Sequence, residues 1–238
     1  MKRMPLFAAS LVFSSLASAA DLDQINLLTQ KQFRLLSEDM AAVASYKALT
    51  PAEPLGFPGF DLGIEVTATE LQNVDIWKIA TGDNDVPNTV YLPKAHLHIG
   101  LPLGFDIGAY YGAVPDSNID TAGAELRYAI IKGDTTTPAL ALRATYSKVS
   151  GVDQLDFDTR GAELTISKGF AFFTPYAGLG KVWVTATPRN VPTLKEEDYS
   201  LSKYFIGANF NFVLINLAIE ADKTGDAPTY GLKLGWRF

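Results

Sequence analysis

Two histidines are the side chains of this sequence best suited to proton or metal chemistry. His96 and His98 are its only histidines, and they stand two positions apart in a stretch of alternating apolar residues. Side chains two apart on a strand point to the same face, so both imidazoles are expected side by side. Such a pair can bind a metal or work with a carboxylate in acid–base chemistry. Because the spacing identifies no third ligand, we predict no metal, no cofactor and no catalytic residue.

Charged residues of both signs occupy the polar positions of the alternating segments. An isolated buried charge is costly, so charges that share an enclosed interior must pair with one another. The sequence therefore predicts a polar network inside the lumen of a barrel. Its predicted members are Glu65, His96, His98, Glu125, Arg127, Arg143, Arg160, Glu163, Lys203, Glu220, Lys233 and Arg237, and the same face is expected to carry Lys181.

Composition excludes several classes of protein. The chain has 238 residues, a formal net charge of −6 and no cysteine. Disulfides and thiolate metal sites are therefore impossible, and the acidic balance argues against a nucleic-acid partner, which would require a basic face. No apolar run after residue 20 is long enough to be a membrane helix. A membrane location would then require a closed barrel, the other fold that satisfies every backbone group in lipid.

The first 56 residues predict two segments that precede the main domain. Lys2 and Arg3, an apolar run and an Ala-Ser-Ala ending at Ala19 are typical of a signal peptide over residues 1–20. Residues 21–56 are expected to hold a short amphipathic helix and a Pro/Gly-rich linker. This helix could lie on the inner membrane surface, plug a lumen or bind a partner.

Residues 57–238 consist of segments with a period of two, the pattern of strands. The last one alternates from Tyr230 to Phe238, with aromatic and leucine side chains on one face and glycine, lysine and arginine on the other. We count about ten such strands, within a range of eight to twelve, and predict an all-β, antiparallel transmembrane β-barrel. The interpretation also expects Tyr176, Val182 and Val184 to face lipid.

Connection lengths and aromatic positions favour the same fold. The first and seventh connections, near 72–90 and 187–199, are long, whereas the turns near 102–104 and 213–214 are short, as in barrels with long external loops. Aromatic rings prefer the two membrane–water interfaces. The predicted membrane girdle consists of Phe60, Phe105, Tyr111, Tyr146, Tyr204, Phe212, Tyr230, Trp236 and Phe238.

The chain resembles the outer-membrane β-barrel proteins of Gram-negative bacteria. The features that carry this resemblance are the signal peptide, the Tyr176-Ala-Gly-Leu-Gly180 motif and the C-terminal Gly231-Leu-Lys-Leu-Gly-Trp-Arg-Phe238. The resemblance implies residence in the outer membrane, with the lipid bilayer and lipopolysaccharide as partners. It also implies that the C-terminal strand is recognised by the barrel-assembly machinery.

Activity is less specified, because this architecture hosts many functions. We expect a non-enzymatic barrel with a small porin-like, ligand-passage or structural role. One alternative is a lipid-modifying or proteolytic enzyme that uses His96 and His98 with a carboxylate. Another is a surface adhesin that binds a partner through its long external loops.

Overall fold

Ten antiparallel strands form a closed barrel in the computed structural model, which describes residues 21–115 and 117–238. Each strand pairs with its neighbours in sequence, and β1 pairs with β10 to close the barrel. The strands are β1 Phe60–Glu70, β2 Thr89–Gly100, β3 Phe105–Ala113, β4 Asp120–Ile131, β5 Ala139–Ser150, β6 Leu155–Ser167, β7 Phe173–Pro188, β8 Glu197–Phe212, β9 Ile215–Thr224 and β10 Ala227–Arg237. The predicted fold class and strand number are confirmed. The predicted signal peptide lies outside the described residues.

The alternation of β10 shows how the sequence builds the wall. Leu232, Leu234 and Trp236 point outward, while Lys233 between them is fully buried inside. On β1, Leu62 lies opposite Trp236 and Ile64 lies opposite Leu234, so the closing seam has an apolar outer face. Cross-strand apolar pairs of this kind stabilise neighbouring strands.

The connections divide the barrel into two ends. The loop end holds connections 71–88, 114–119, 151–154, 189–196 and 225–226, and the turn end holds 101–104, 132–138, 168–172 and 213–214. The predicted length difference is present for the first and seventh connections. It does not extend to the ninth, because 225–226 is as short as 213–214.

In the part of the chain that the structure describes, two α-helices accompany the strands: α1, Gln30–Ala44, and α2, Val74–Thr81 in the first connection. A capping box starts α1, since the Thr29 side chain accepts from the Gln32 backbone and the Gln32 side chain accepts from Thr29. Among the described residues, no helix is long and apolar enough to cross a membrane.

The N-terminal segment, residues 21–59, runs through the barrel from end to end. Helix α1 enters at the loop end, where the Gln30 side chain donates to the Lys195 carbonyl oxygen at 3.1 Å. Residues 45–52 are all buried inside the wall. The segment leaves at the turn end, where the Gly100 amide donates to the Gly59 carbonyl oxygen at 2.8 Å. Of the three positions open to the predicted helix, the structure therefore has the plug, and we call residues 30–56 the plug.

An apolar core fills the loop end of the lumen. Phe33, Leu36 and Met40 of α1 pack with Trp77 of α2 and with inward side chains of the wall. Those wall residues include Val90, Leu92, Val149, Phe157, Val182 and Val184. In this part of the barrel, apolar side chains therefore point inward, because the helix gives them a partner away from water.

The apolar core shows that the orientation predicted for β7 is wrong. Val182 and Val184 were expected to face lipid, and that prediction is wrong, because both are buried against the core around α1. Tyr176 also points inward, contrary to prediction. It packs over Gly207 on β8, where an added Cβ would lie 2.3 Å from the Tyr176 ring. Only a glycine at that position leaves room for the ring inside the wall.

The path of the plug predicts a specific cross-link. The Ala52 amide donates to the Ser167 hydroxyl at 3.1 Å, so cysteines at both positions lie within reach of a disulfide. We expect oxidation of the A52C/S167C variant to give a disulfide, detected by mass spectrometry after proteolysis. A52C/I166C is the matched control, because Ile166 points outward. Equal cross-linking in the two variants would contradict the path described here.

Candidate functional site

The strongest concentration of polar chemistry lies where the wall binds the plug in the lower lumen, towards the turn end. The Arg127 guanidinium donates to the Pro51 carbonyl oxygen at 2.7 Å and to the Thr50 hydroxyl at 3.0 Å. Arg143 donates to the same hydroxyl at 3.1 Å. Buried backbone groups must find partners, and in this extended segment the wall side chains supply them.

Further contacts bind the plug at the end of α1 and near the turn end. The Tyr110 hydroxyl donates to the Ala44 carbonyl oxygen at 3.2 Å, where α1 ends. Near the turn end, the Leu55 amide donates to the Asp106 carboxylate at 3.0 Å. The plug is therefore attached along its length rather than at one point.

A continuous series of buried ion pairs joins five strands and the plug. Arg143 lies between two carboxylates, with Glu125 at 3.1 Å and Glu163 at 2.9 Å. Lys203 pairs with Glu163 at 2.7 Å and lies 3.6 Å from Asp222. The carboxylate of Asp222 is 3.7 Å from the Lys47 ammonium of the plug. The plug thus contributes a charge of its own to the network.

Charge in the described lower lumen is balanced. Seven buried or largely buried acidic side chains, Asp61, Glu65, Asp106, Glu125, Glu163, Glu220 and Asp222, share it with seven basic ones, Lys47, Lys94, Arg127, Arg143, Lys203, Lys233 and Arg237. A charge removed from water is tolerated when it is paired and hydrogen-bonded. The balance is complete only with Lys47, so the wall and the plug form one electrostatic unit.

The two histidines lie beside this network towards the turn end. His96 is 3.3 Å from the Asp61 carboxylate, and Lys94 pairs with Glu65 at 2.6 Å. The Nε2 atom of His98 is 3.2 Å from the Tyr46 hydroxyl of the plug and 3.5 Å from Glu125. Both imidazoles are buried, and the plug lies over His98.

Asp61 supplies the third metal-type ligand that the sequence did not identify. Its carboxylate and the two imidazoles offer ligand atoms within 4.8 Å of one another. However, the same carboxylate accepts from Lys233 at 2.8 Å and from Arg237 at 3.0 Å. Two cations on one carboxylate oppose binding of a metal cation. The arrangement fits an ion-pair centre that joins β1, β2 and β10.

Most of the predicted lumen residues do point inward. Buried on the inner face are Glu65, His96, His98, Glu125, Arg127, Arg143, Glu163, Lys203, Glu220 and Lys233, and Arg237 lies partly exposed at the turn end. The structure brings all of them into the lower lumen, although they come from eight different strands.

Arg160 and Lys181 are the exceptions among the residues predicted to face the lumen, and both predictions are wrong. The Arg160 side chain is 72% exposed on the outer face of β6, where Glu163, three positions away, points inward. An odd separation on a regular strand places two side chains on opposite faces. Lys181 on β7 is also outward, because its neighbour Val182 belongs to the core around α1.

Sequence reasoning missed several residues that bind the network together. Asp61 shares the parity of Glu65 on β1, so alternation alone could have found it. Tyr46, Lys47 and Thr50 of the plug gave no periodic signal, because they lie in an extended segment between a helix and prolines. Their role depends on the wall that surrounds them.

The predicted girdle residues all lie on the outer face of the barrel. Tyr111, Tyr204 and Tyr230 are exposed on β3, β8 and β10. At the turn end, the Phe60 ring packs against Trp236 and Phe238, with centroids 5.7 Å and 6.0 Å apart. Phe105, Tyr146 and Phe212 complete the set.

Long connections at the loop end fold over the plug as a cap. Trp77 of α2 donates from its ring nitrogen to the Asp39 carboxylate at 3.1 Å, and the Asn73 amide donates to the same group at 2.9 Å. Burial raises the pKa of the Asp39 carboxyl above its usual value, although these donors act in the opposite direction. Val191 and Leu194 of the seventh connection are buried in the same apolar core.

Comparison with protein-family models and with curated proteins finds no match. Among solved structures, the chain is similar to outer-membrane β-barrels. One is the N-terminal β-barrel domain of Pseudomonas aeruginosa OprF, with 12% identity, a TM-score of 0.36, and coverage of 74% of this chain and 97% of that one. Another is the KdgM porin in complex with disordered oligogalacturonate, with 7% identity, a TM-score of 0.38, and coverage of 76% and 99%.

A third similar structure is the translocator domain of the autotransporter NalP from Neisseria meningitidis. It shares 8% identity at a TM-score of 0.33, with coverage of 87% of this chain and 95% of that one. Similarities this weak carry no argument about the role of this chain.

The Asp61 centre predicts a large effect of one uncharged substitution. Asp61→Asn leaves Lys233 buried without its anionic partner, and breaking a buried pair in this way costs about 3–5 kcal/mol. We expect this loss in the free energy of unfolding, measured with urea in lipid vesicles. The double variant D61N/K233M should recover part of it, whereas the exposed control R160Q should change it by less than about 0.5 kcal/mol. A D61N variant as stable as R160Q would contradict the assignment.

Proposed function

We propose that this chain is an outer-membrane β-barrel protein that is closed by its own plug and catalyses no reaction. The outer wall supports a membrane location. Large apolar side chains such as Leu62, Leu164 and Ile206 are exposed on strands all around the barrel. Soluble monomers rarely expose continuous apolar patches larger than a few hundred Å². A closed barrel leaves no unpaired strand edge, which is the condition for spanning lipid with strands.

The occupied lumen is the observation that carries the proposed role. Barrels of eight strands have interiors just filled by side chains, and ten strands enclose somewhat more space. Here the additional space is taken by the plug, of which residues 45–52 are buried throughout. At the loop end, helix α1 and the cap also block the path through the lumen.

A porin-like passage would require the plug to leave. Its departure would break the contacts of Thr50 and Pro51 with Arg127 and Arg143, and those of Tyr46 and Lys47 with Lys203 and Asp222. We therefore infer a sealed resting state and a structural role, in which the barrel anchors a folded cap at the cell surface.

The two alternatives have less support. An enzyme built on His96 and His98 would need substrate access, but both rings are buried beneath the plug. An adhesin would use free external loops, whereas α2 and the seventh connection are packed onto α1. Neither alternative uses the pairing between wall and plug.

The proposed location predicts how the protein behaves on isolation. We expect the chain to fractionate with the outer membrane and, after extraction, to migrate faster on a gel when unheated than when boiled. A closed barrel resists unfolding by detergent in the cold, which is the reason for the shift. A soluble protein with heat-insensitive mobility would contradict the membrane proposal.

The sealed lumen predicts that the protein conducts no ions across planar lipid bilayers. The full-length protein should give no single-channel steps, while a variant that lacks residues 30–56 should conduct, because water then hydrates the lumen charges. Removal of residues 21–28 is the control, because it keeps the Thr29 cap of α1. It leaves the plug in the lumen, so this variant should give no single-channel steps.

The A52C/S167C variant keeps the test decisive if the deletion variant does not fold. Once oxidised, it holds the plug in place. Conductance by the full-length protein that persists in this locked state would show that the lumen is not sealed. Conductance that disappears on oxidation and returns on reduction would show instead that the plug moves, and would overturn the silent resting state.

A further inference from the structure

Four basic side chains project from the outer wall of the barrel rather than into its lumen. They are Lys148 on β5, Arg160 on β6, Lys181 on β7 and Lys223 on β9, and all are exposed. The ion-pair network does not use them. On a wall that is otherwise largely apolar, they require a different explanation.

The four residues lie at one level of the barrel. Counted from the turn-end residue of its strand, Lys148 is nine positions from Ala139, Arg160 is seven from Ser167, and Lys181 and Lys223 are each eight from Phe173 and Ile215. Eight residues extend about 26 Å along a strand, or roughly 20 Å along the axis of a barrel with tilted strands. This is close to the apolar band of about 25 Å in outer-membrane barrels.

The outer wall between this level and the turn end is apolar, and the level itself is rich in aromatic rings. Beneath Lys223 on β9 the outward residues are Ile215, Leu217, Ile219 and Ala221. Trp183 lies directly opposite Arg160, and Tyr204 lies directly opposite Lys223. Aromatic rings and basic side chains occur together at membrane interfaces, the rings at the headgroups and the cations beside anionic groups.

The basic residues are concentrated on one side. On the remaining strands, the outward residues near this level are Ala68, Tyr91, Tyr111, Ala122, Tyr204 and Tyr230, none of which is basic. Arg160 and Lys181 are close neighbours, because Arg160 is opposite Trp183, two positions from Lys181. The four residues therefore form a partial belt over strands β5 to β9, which we call the basic belt.

Neighbouring carboxylates offset only part of this charge. Asp158 is opposite Lys148 and lies 3.8 Å from Arg160, and Asp226 lies 3.6 Å from Lys223. Within residues 21–115 and 117–238, Lys181 has no carboxylate within 4.0 Å. Four cations against two anions leave the belt positive at the level where lipid headgroups would lie.

We propose that the basic belt binds the phosphate groups of a phosphorylated lipid in the leaflet at the loop end. The inference rests on the proposed membrane location, because it places these residues at the headgroups of that leaflet. Long lysine and arginine side chains can extend from the apolar boundary to anionic headgroups. The lipid is expected to associate with one side of the barrel, that of β5 to β9.

The test compares a bisphosphorylated lipid A with its dephosphorylated form, bound to the refolded full-length barrel in neutral detergent. Each basic residue near a charged membrane surface contributes about a fivefold effect on binding. The variant K148Q/R160Q/K181Q/K223Q should bind the phosphorylated lipid at least about 20-fold more weakly. The control K31Q/K78Q/R189Q/K195Q removes four charges from the loop end and should bind as the wild type does.

Two results would overturn the proposal that the basic belt binds lipid phosphate. One is equal binding of the two lipids by the wild type, and the other is unchanged binding by the K148Q/R160Q/K181Q/K223Q variant. Displacement of the lipid by inorganic phosphate alone at equal concentration would point to a small-anion site and would also overturn it. Both variants should keep heat-modifiable mobility and remain silent in bilayers. A folded barrel that does not conduct and shows no preference for the phosphorylated lipid would therefore reject lipid binding by the basic belt and leave the proposed function intact.

Discussion

The pairing of charges inside an occupied lumen is the constraint on which the rest of this structure depends. Arg127 and Arg143 can be buried because carboxylates of the wall and oxygens of Thr50 and Pro51 share their donors. Residues 45–56 of the plug can in turn pass through the barrel without secondary structure because wall side chains bind their backbone groups. Removing either partner would leave the other with unpaired polar groups, so the wall and the plug stabilise each other.

The barrel has two regions with opposite polarity. Towards the turn end, charges lie inside and apolar side chains lie outside, as expected for a wall in contact with lipid. Towards the loop end, the inside is an apolar core around α1, and the outside carries Lys148, Arg160 and Lys181. The apolar face of α1 is buried against apolar side chains of the wall, which accounts for the inner core. The polar exterior has a separate cause, because the part of a barrel beyond the apolar band of a membrane faces headgroups and water.

The cap and the basic belt follow from the same arrangement. Because α1 occupies the loop end, the first and seventh connections acquire a surface to pack on, and Trp77 and Leu194 become core residues rather than parts of free loops. Because the inward positions there are apolar, the basic residues of β6 and β7 are left on the outside. The placement of this 15-residue helix thus decides that the first and seventh connections are packed into the core.

The sequence alone determined those elements that arise from a pattern of neighbouring residues. The alternation of β10, the number of strands and most of the inward charges follow from a two-residue period, and the helix follows from its own periodicity. Tertiary structure decided where the helix lies, and therefore which face of β7 is inside. Alternation specifies two faces but not which one is enclosed, so Val182 could be assigned only once α1 was seen in the lumen, whereas the odd separation of Arg160 from Glu163 already places those two side chains on opposite faces. The same limit as for Val182 holds for Tyr46, Lys47 and Thr50, whose partners are distant in sequence.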